Sequence, residues 1–158
     1  MPLSKRSRPA ALLLAALCTS SAVAAGLAES SGTYSCSYNE FSRCSEGSAR
    51  VTLLDGKVQS VSFDSKFCAT KARPAANCKL DIARGGADKW EEKGRTVSVT
   101  FIHPRFTELT DVFAVSVEDG QIVLDFGETQ PSTKCKPAGE LPERLVIAPP
   151  AEKCRVEF

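Results

Sequence analysis

Residues 112–126 read VFAVSVEDGQIVLDF, and this stretch decides the fold class. Asp119-Gly120 supplies two adjacent residues that tolerate positive φ, the requirement of a two-residue hairpin turn. Closing the chain there pairs Glu118 with Gln121, Val117 with Ile122, Val115 with Leu124 and Phe113 with Phe126. One face then carries Phe113, Val115, Val117, Ile122, Leu124 and Phe126, while Ser116, Glu118, Gln121 and Asp125 fall on the other. That alternation belongs to an antiparallel sheet packed on one side, since a helix would scatter the same residues around its axis.

A second Asp-Gly pair, Asp55-Gly56, lies between apolar-alternating runs at 49–53 and 58–63. A two-residue register mixes polar and apolar side chains here. A three-residue loop, with Leu53 opposite Lys57 and Gly56 at a bulge, gathers Ala49, Val51, Leu53, Val61 and Phe63 on one face. Further strands are expected at 32–38, 79–83, 88–92, 95–102 and 142–147. Lys93-Gly94 turns Val97, Val99 and Phe101 back onto Trp90. No long segment carries a helical stripe. The expected fold is all-β, an antiparallel β-sandwich or small barrel of about eight to nine strands.

Seven cysteines are present, and Cys18 falls in an N-terminal stretch with the three parts of an export signal. Lys5, Arg6 and Arg8 form its basic start, residues 10–18 its apolar segment, and Ala22 and Ala24 its small-residue cleavage site. The apolar segment is under half of the roughly 20 residues that span a bilayer. The expected organisation is a signal peptide at 1–24 and a single exported β domain at 25–158. Removing the signal takes three cations with it, which moves the net charge from +1 to −2 and leaves 134 residues. A near-neutral chain of that size builds a real core and has no general pull toward nucleic acid or anionic lipid. A soluble monomer in the periplasm or secreted medium, not inserted in a membrane, is expected.

The remaining cysteines, Cys36, Cys44, Cys68, Cys78, Cys135 and Cys154, form an even set, the signature of a disulfide framework in an oxidising compartment. Short loops close at the lowest entropic cost, which favours neighbour pairing: Cys36 with Cys44, Cys68 with Cys78, Cys135 with Cys154. The sequence leaves the other connectivities open. No paired CxxC occurs and His103 is the single histidine, so neither a metal centre nor a cofactor is expected.

The same inventory bounds catalysis. His103 is the one conventional base for a serine or cysteine nucleophile, and no nucleophile elbow, phosphate-cradling glycine loop or HExxH accompanies it. The pairs Glu91-Glu92 and Glu118-Asp119 are adjacent strand residues whose side chains diverge to opposite faces. A small hydrolase using His103 is therefore a minor reading, and a structural or assembly component of the cell envelope is another. The leading expectation is a disulfide-stabilised binding domain that recognises or inhibits another protein or envelope macromolecule, such as a cell-wall hydrolase or toxin.

Three loops carry the contact types that expectation needs. His103, Arg105 and Phe106 combine an arginine with an aromatic, the types enriched in interface hot spots. Tyr38, Phe41 and Arg43 would sit in a tight ring if Cys36 bonded Cys44, and preorganised loops lose less entropy on binding. Lys71 would project from a segment closed by Cys68 and Cys78. Against each stands a plainer reading: a solvated turn, aromatics that cap the core, or solubilising charge.

Overall fold

The computed structural model describes residues 31–69, 71, 75–102, 110–127, 141–150 and 152–158, which form ten β-strands and, among them, no helix. The strands are β1 (Gly32–Glu40), β2 (Ser45–Leu54), β3 (Lys57–Phe67), β4 (Ala76–Ala83), β5 (Lys89–Lys93), β6 (Thr96–Ile102), β7 (Thr110–Glu118), β8 (Gln121–Asp125), β9 (Arg144–Ile147) and β10 (Arg155–Glu157). Every ladder is antiparallel and joins strands consecutive in sequence. β1-β2-β3-β4 make one sheet and β10-β9-β8-β7-β6-β5 the other. The two share one core in a sandwich-like arrangement that does not close into a barrel. The strand beyond the expected nine is β10, three residues long and too short to show an alternation.

The β7–β8 hairpin follows the register read from its sequence, with Glu118 opposite Gln121 and Val115 opposite Leu124. Asp119 and Gly120 take φ of 47° and 75°. At Asp55-Gly56 the local prediction needs correction. The turn is the two-residue kind, with φ of 50° and 71° and Leu54 opposite Lys57. Parity is restored farther along the ladder: Leu53 faces Val58 but Thr52 faces Ser60, so Gln59 is the extra residue of a bulge. Ala49, Val51, Leu53, Val61 and Phe63 are still all buried, because the hydrophobic face outweighs the position of the irregularity.

A run of rings ties the two sheets together. Tyr38 stacks on Phe63 at 6.5 Å, Phe63 meets Phe126 at 5.3 Å, Phe126 meets Phe113 at 5.6 Å, and Phe113 stacks on Phe101 at 5.2 Å. Tyr38 and Phe63 belong to the four-stranded sheet, Phe101 and Phe113 to the six-stranded one, and Phe126 directly follows β8. Burial of these large apolar surfaces, with a further contribution from ring geometry, fastens the layers. The outer face of the four-stranded sheet is polar, with Ser35, Arg50, Ser62 and Asp81 in one row across the strands and Ser37, Ser48, Asp64 and Lys79 in the next. On the other sheet Val123 and Val146 are outward-facing yet buried. By register, the Arg144–Glu118 ion pair, 3.1 Å long, crosses β8 at Val123, and Arg155 reaches Gln121 at 2.7 Å past Val146. Long side chains lying along apolar surface account for that burial.

The disulfides join Cys36 to Cys154 and Cys44 to Cys68, which overturns the neighbour pairing. Extended strands explain the difference. Cys36 lies four residues before the end of β1 and pairs with Ala49, so about 13 Å of strand separates it from the turn that holds Cys44. Disulfides need Cα atoms within roughly 7 Å, a condition met at 5.1 Å and 5.7 Å by the observed pairs. Cys78 faces the core opposite Ser65 and is also disulfide-bonded, to a cysteine outside the described residues. Such bonds belong to an oxidising, extracellular type of compartment. Among the described residues no helix is long and apolar enough to cross a membrane.

Candidate functional site

The β1–β2 turn, Phe41 to Cys44, is where an exposed aromatic coincides with a rigid backbone. Its frame is made locally: the Arg43 amide donates to the Glu40 carbonyl and the Cys44 amide to the Phe41 carbonyl, both at 3.2 Å, and the Ser42 hydroxyl donates to the Glu40 carboxylate at 2.8 Å. Cys44 adopts φ of 51°, a left-handed conformation that costs a non-glycine residue free energy unless its surroundings enforce it. The enforcement comes from β3. Cys44 and Cys68 extend the β2–β3 ladder by one pair, with the Cys68 amide donating to the Cys44 carbonyl at 3.1 Å alongside the disulfide.

Beneath the turn lies Tyr38, 7% exposed and laid over Gly47, its cross-strand partner. A Cβ at position 47 would stand 2.7 Å from the Tyr38 ring, so only glycine admits it. The Ser45 hydroxyl donates to the Tyr38 phenol oxygen at 3.5 Å, and the buried Ser65 hydroxyl faces the same phenol. Burial pushes the Tyr38 phenol above its ordinary pKa, and the Ser45 hydrogen bond offsets part of that rise.

Arg43 lies on the C-terminal residue, its guanidinium carbon 4.8 Å from the Phe158 ring centre and one nitrogen 3.4 Å from the Phe158 carbonyl. Phe158 in turn meets Tyr38 edge-on at 6.3 Å. Tyr38 and Arg43 thus support the turn, and Phe41 alone of the three stands free at 86% exposure.

Phe41 forms the ridge between two clefts. One, of about 360 Å³, is mainly apolar and is walled by Phe67 and the Cys44–Cys68 bond, with Glu46 and Lys66 opposite each other at its rim. The other, of about 660 Å³, runs between β1 and residues 153–156 and is more polar. An exposed aromatic on a fixed turn beside an apolar cleft with a charge of each sign at its edge has the anatomy of a contact surface.

Lys71 is exposed, three residues past Cys68, but Cys68 bonds Cys44, so the segment from 68 to 78 is not the closed loop expected from the sequence. The ring expected from a Cys36–Cys44 bond is likewise absent; the turn is tied instead to β3. His103, Arg105, Phe106 and Cys135 lie outside the described residues. Two contributors were missed by sequence reasoning. Phe67 was signalled, because it continues the Val61, Phe63, Ser65 alternation beside Cys68, whereas Phe158 at the chain end offered no pattern. Among the described residues no group of three or more His, Cys, Asp or Glu side chains is placed to hold a metal ion.

No protein-family model, curated protein or solved structure matches this chain.

Proposed function

We propose that this chain is an exported binding domain whose Phe41 turn engages another envelope macromolecule, with a cell-wall hydrolase or toxin as the partner class and inhibition as the outcome. The observation that carries the reading is the 86% exposure of Phe41 on a turn fixed by the Cys44–Cys68 bond. Covering a phenylalanine side chain gains roughly 1.5–3 kcal/mol, and a turn already ordered gives little of that back as lost entropy. The basic-apolar-small pattern of residues 1–24 and the disulfides support export to the periplasm or beyond.

Replacing Phe41 by a photo-crosslinking phenylalanine analogue in cells tests this directly. A discrete adduct with one envelope protein, missing when the analogue replaces the half-exposed Val112 on the other sheet, is expected. The matching Phe41→Ser chain should keep its unfolding midpoint and lose the partner. Equal adducts from both positions, or undiminished partner binding by Phe41→Ser, would sink the proposal.

A further inference from the structure

The two open sides of the sandwich are treated differently by the sequence. On one side the outer edge of β1 is engaged at its middle: the Ser37 amide donates to the Glu152 carbonyl and the Cys154 amide to the Ser37 carbonyl, both at 2.9 Å, beside the Cys36–Cys154 bond. On the other side β4 and β5 end their sheets with no further strand among the described residues. β5 is five residues long and four of them are charged, which blunts it as a template. Among the described residues β4 is less protected, with Lys79 and Asp81 its two charges. It runs eight residues in unbroken register against β3, without proline or bulge.

The ladder fixes which β4 backbone groups face outward. The Arg84 amide donates to the Gln59 carbonyl, so even-numbered β4 residues bond inward to β3. The Cys68–Cys44 hydrogen bond one strand earlier gives the same phase, since it turns even-numbered β3 residues toward β2 and odd-numbered ones toward β4. The outward amides and carbonyls therefore belong to Asn77, Lys79, Asp81 and Ala83. Their side chains are all exposed on the polar face, while Cys78, Leu80 and Ile82 are buried.

We propose that β4 pairs antiparallel with β4 of a second copy of this chain, about a two-fold axis at Leu80, joining two four-stranded sheets into one. Only odd-numbered residues have free edge groups, so a two-fold pairing must set odd against odd. Centred on Leu80, it sets Lys79 opposite Asp81 of the other copy, Asp81 opposite its Lys79, and Asn77 opposite its Ala83, for about six new backbone hydrogen bonds, since the Ala83 carbonyl already accepts from the Gly86 amide. Centred on Lys79 or on Asp81, it sets like charges face to face. Directly opposed side chains attract or repel across such a pair, so the charges select the Leu80 register. This self-pairing uses a different edge from the Phe41 turn and stands or falls independently of it.

The test is sedimentation equilibrium and native mass spectrometry of the full exported, oxidised chain. A dimer populated by about 100 µM is expected. Lys79→Glu or Asp81→Lys alone turns two attractions into two repulsions and should raise the dissociation constant roughly tenfold or more. The double reversal Lys79→Glu/Asp81→Lys restores opposite charges across the axis and should bring dimerisation back. Both positions are exposed, and thermal unfolding of each variant checks that the fold persists. Hydrogen exchange supplies a second readout: the amides of Lys79 and Asp81 should slow as concentration rises. A single-subunit mass at all concentrations, a dimer indifferent to the single reversals, or a double reversal as weak as the singles overturns the proposal.

Discussion

Gly47→Ala separates intrinsic backbone preference from packing, because the two predict opposite signs. By preference alone, alanine in a strand is worth about 0.5–1 kcal/mol over glycine, mostly through the unfolded chain. At position 47, however, the added carbon meets the Asp64 carbonyl at 2.5 Å and the Tyr38 ring and hydroxyl at 2.7 and 2.8 Å. One contact is backbone in a paired strand and the other is a ring held between Phe63 and Phe158, so neither yields freely. Lifting Tyr38 off β2 re-exposes part of a side chain that buries 150–250 Å², which at about 25 cal/mol per Å² costs roughly 2–4 kcal/mol for half of its area or more. The expected net is a destabilisation of about 2–3 kcal/mol, read as a lower urea midpoint with an unchanged slope and a loss of near-ultraviolet tyrosine ellipticity. In a Tyr38→Ala background the cost of Gly47→Ala should shrink by about 1 kcal/mol or more, since the ring contact is gone and only the Asp64 carbonyl remains. A Gly47→Ala chain as stable as the parent, or more so, would refute the close packing of Tyr38 over β2.

Three further outcomes follow from the same geometry. Replacing Cys36 and Cys154 together by alanine should cost about 4 kcal/mol, since that bond closes a separation of 118 residues and also secures the pairing of Ser37 with 152–154; a loss under about 1 kcal/mol in urea unfolding contradicts it. Because burial raises the Tyr38 phenol, the native state holds its proton after the unfolded chain has released it. That stabilisation is complete below the ordinary value of 10.0 and is lost as pH climbs from there through the native value. Absorbance titration near 295 nm should show a late phase that Tyr38→Phe removes, and its persistence in that variant would assign it elsewhere. If residues 1–24 are cleaved as the export pattern implies, non-reducing peptide mapping should find Cys78 linked to Cys135, the one cysteine then left to it; a Cys78 peptide linked to any other contradicts this.

The fold was legible wherever side chains alternated against a turn with its own chemistry. Val112 to Phe126 carries both signals, and its register follows the expectation from Glu118–Gln121 through Val115–Leu124, the ladder ending one pair short of Phe113–Phe126. At Asp55-Gly56 the face was legible but the mechanics were not, because a bulge at Gln59 and a wider loop at Gly56 yield the same buried set. β10 escaped notice because three residues show no period. Disulfide connectivity failed for a physical reason: loop entropy favours neighbours in an unfolded chain, whereas strands carry neighbouring cysteines apart and bring the two ends of the domain together. At the candidate site, Tyr38, Phe41 and Arg43 were named from sequence for a ring that does not exist. The turn they occupy is tied down all the same, through β3 and Phe158.

Those two anchors make the Phe41 turn depend on more than its own crosslink. Cys44–Cys68 acts on it directly. Cys36–Cys154 acts at a distance: Cys154 fixes the segment that ends at Phe158, Phe158 lies against both Tyr38 and Arg43, and these two residues carry the turn from below and from the side. The bond with a separation of 118 residues therefore stabilises the globule and also orients the residue proposed to meet a partner. Reduction should act at both levels, loosening the turn through either bond while much of the ring-packed core persists. Partner binding by the Phe41 surface should accordingly be lost at milder reducing conditions than the sheet signal in circular dichroism. Loss of both together would mean that the turn has no stability apart from that of the core.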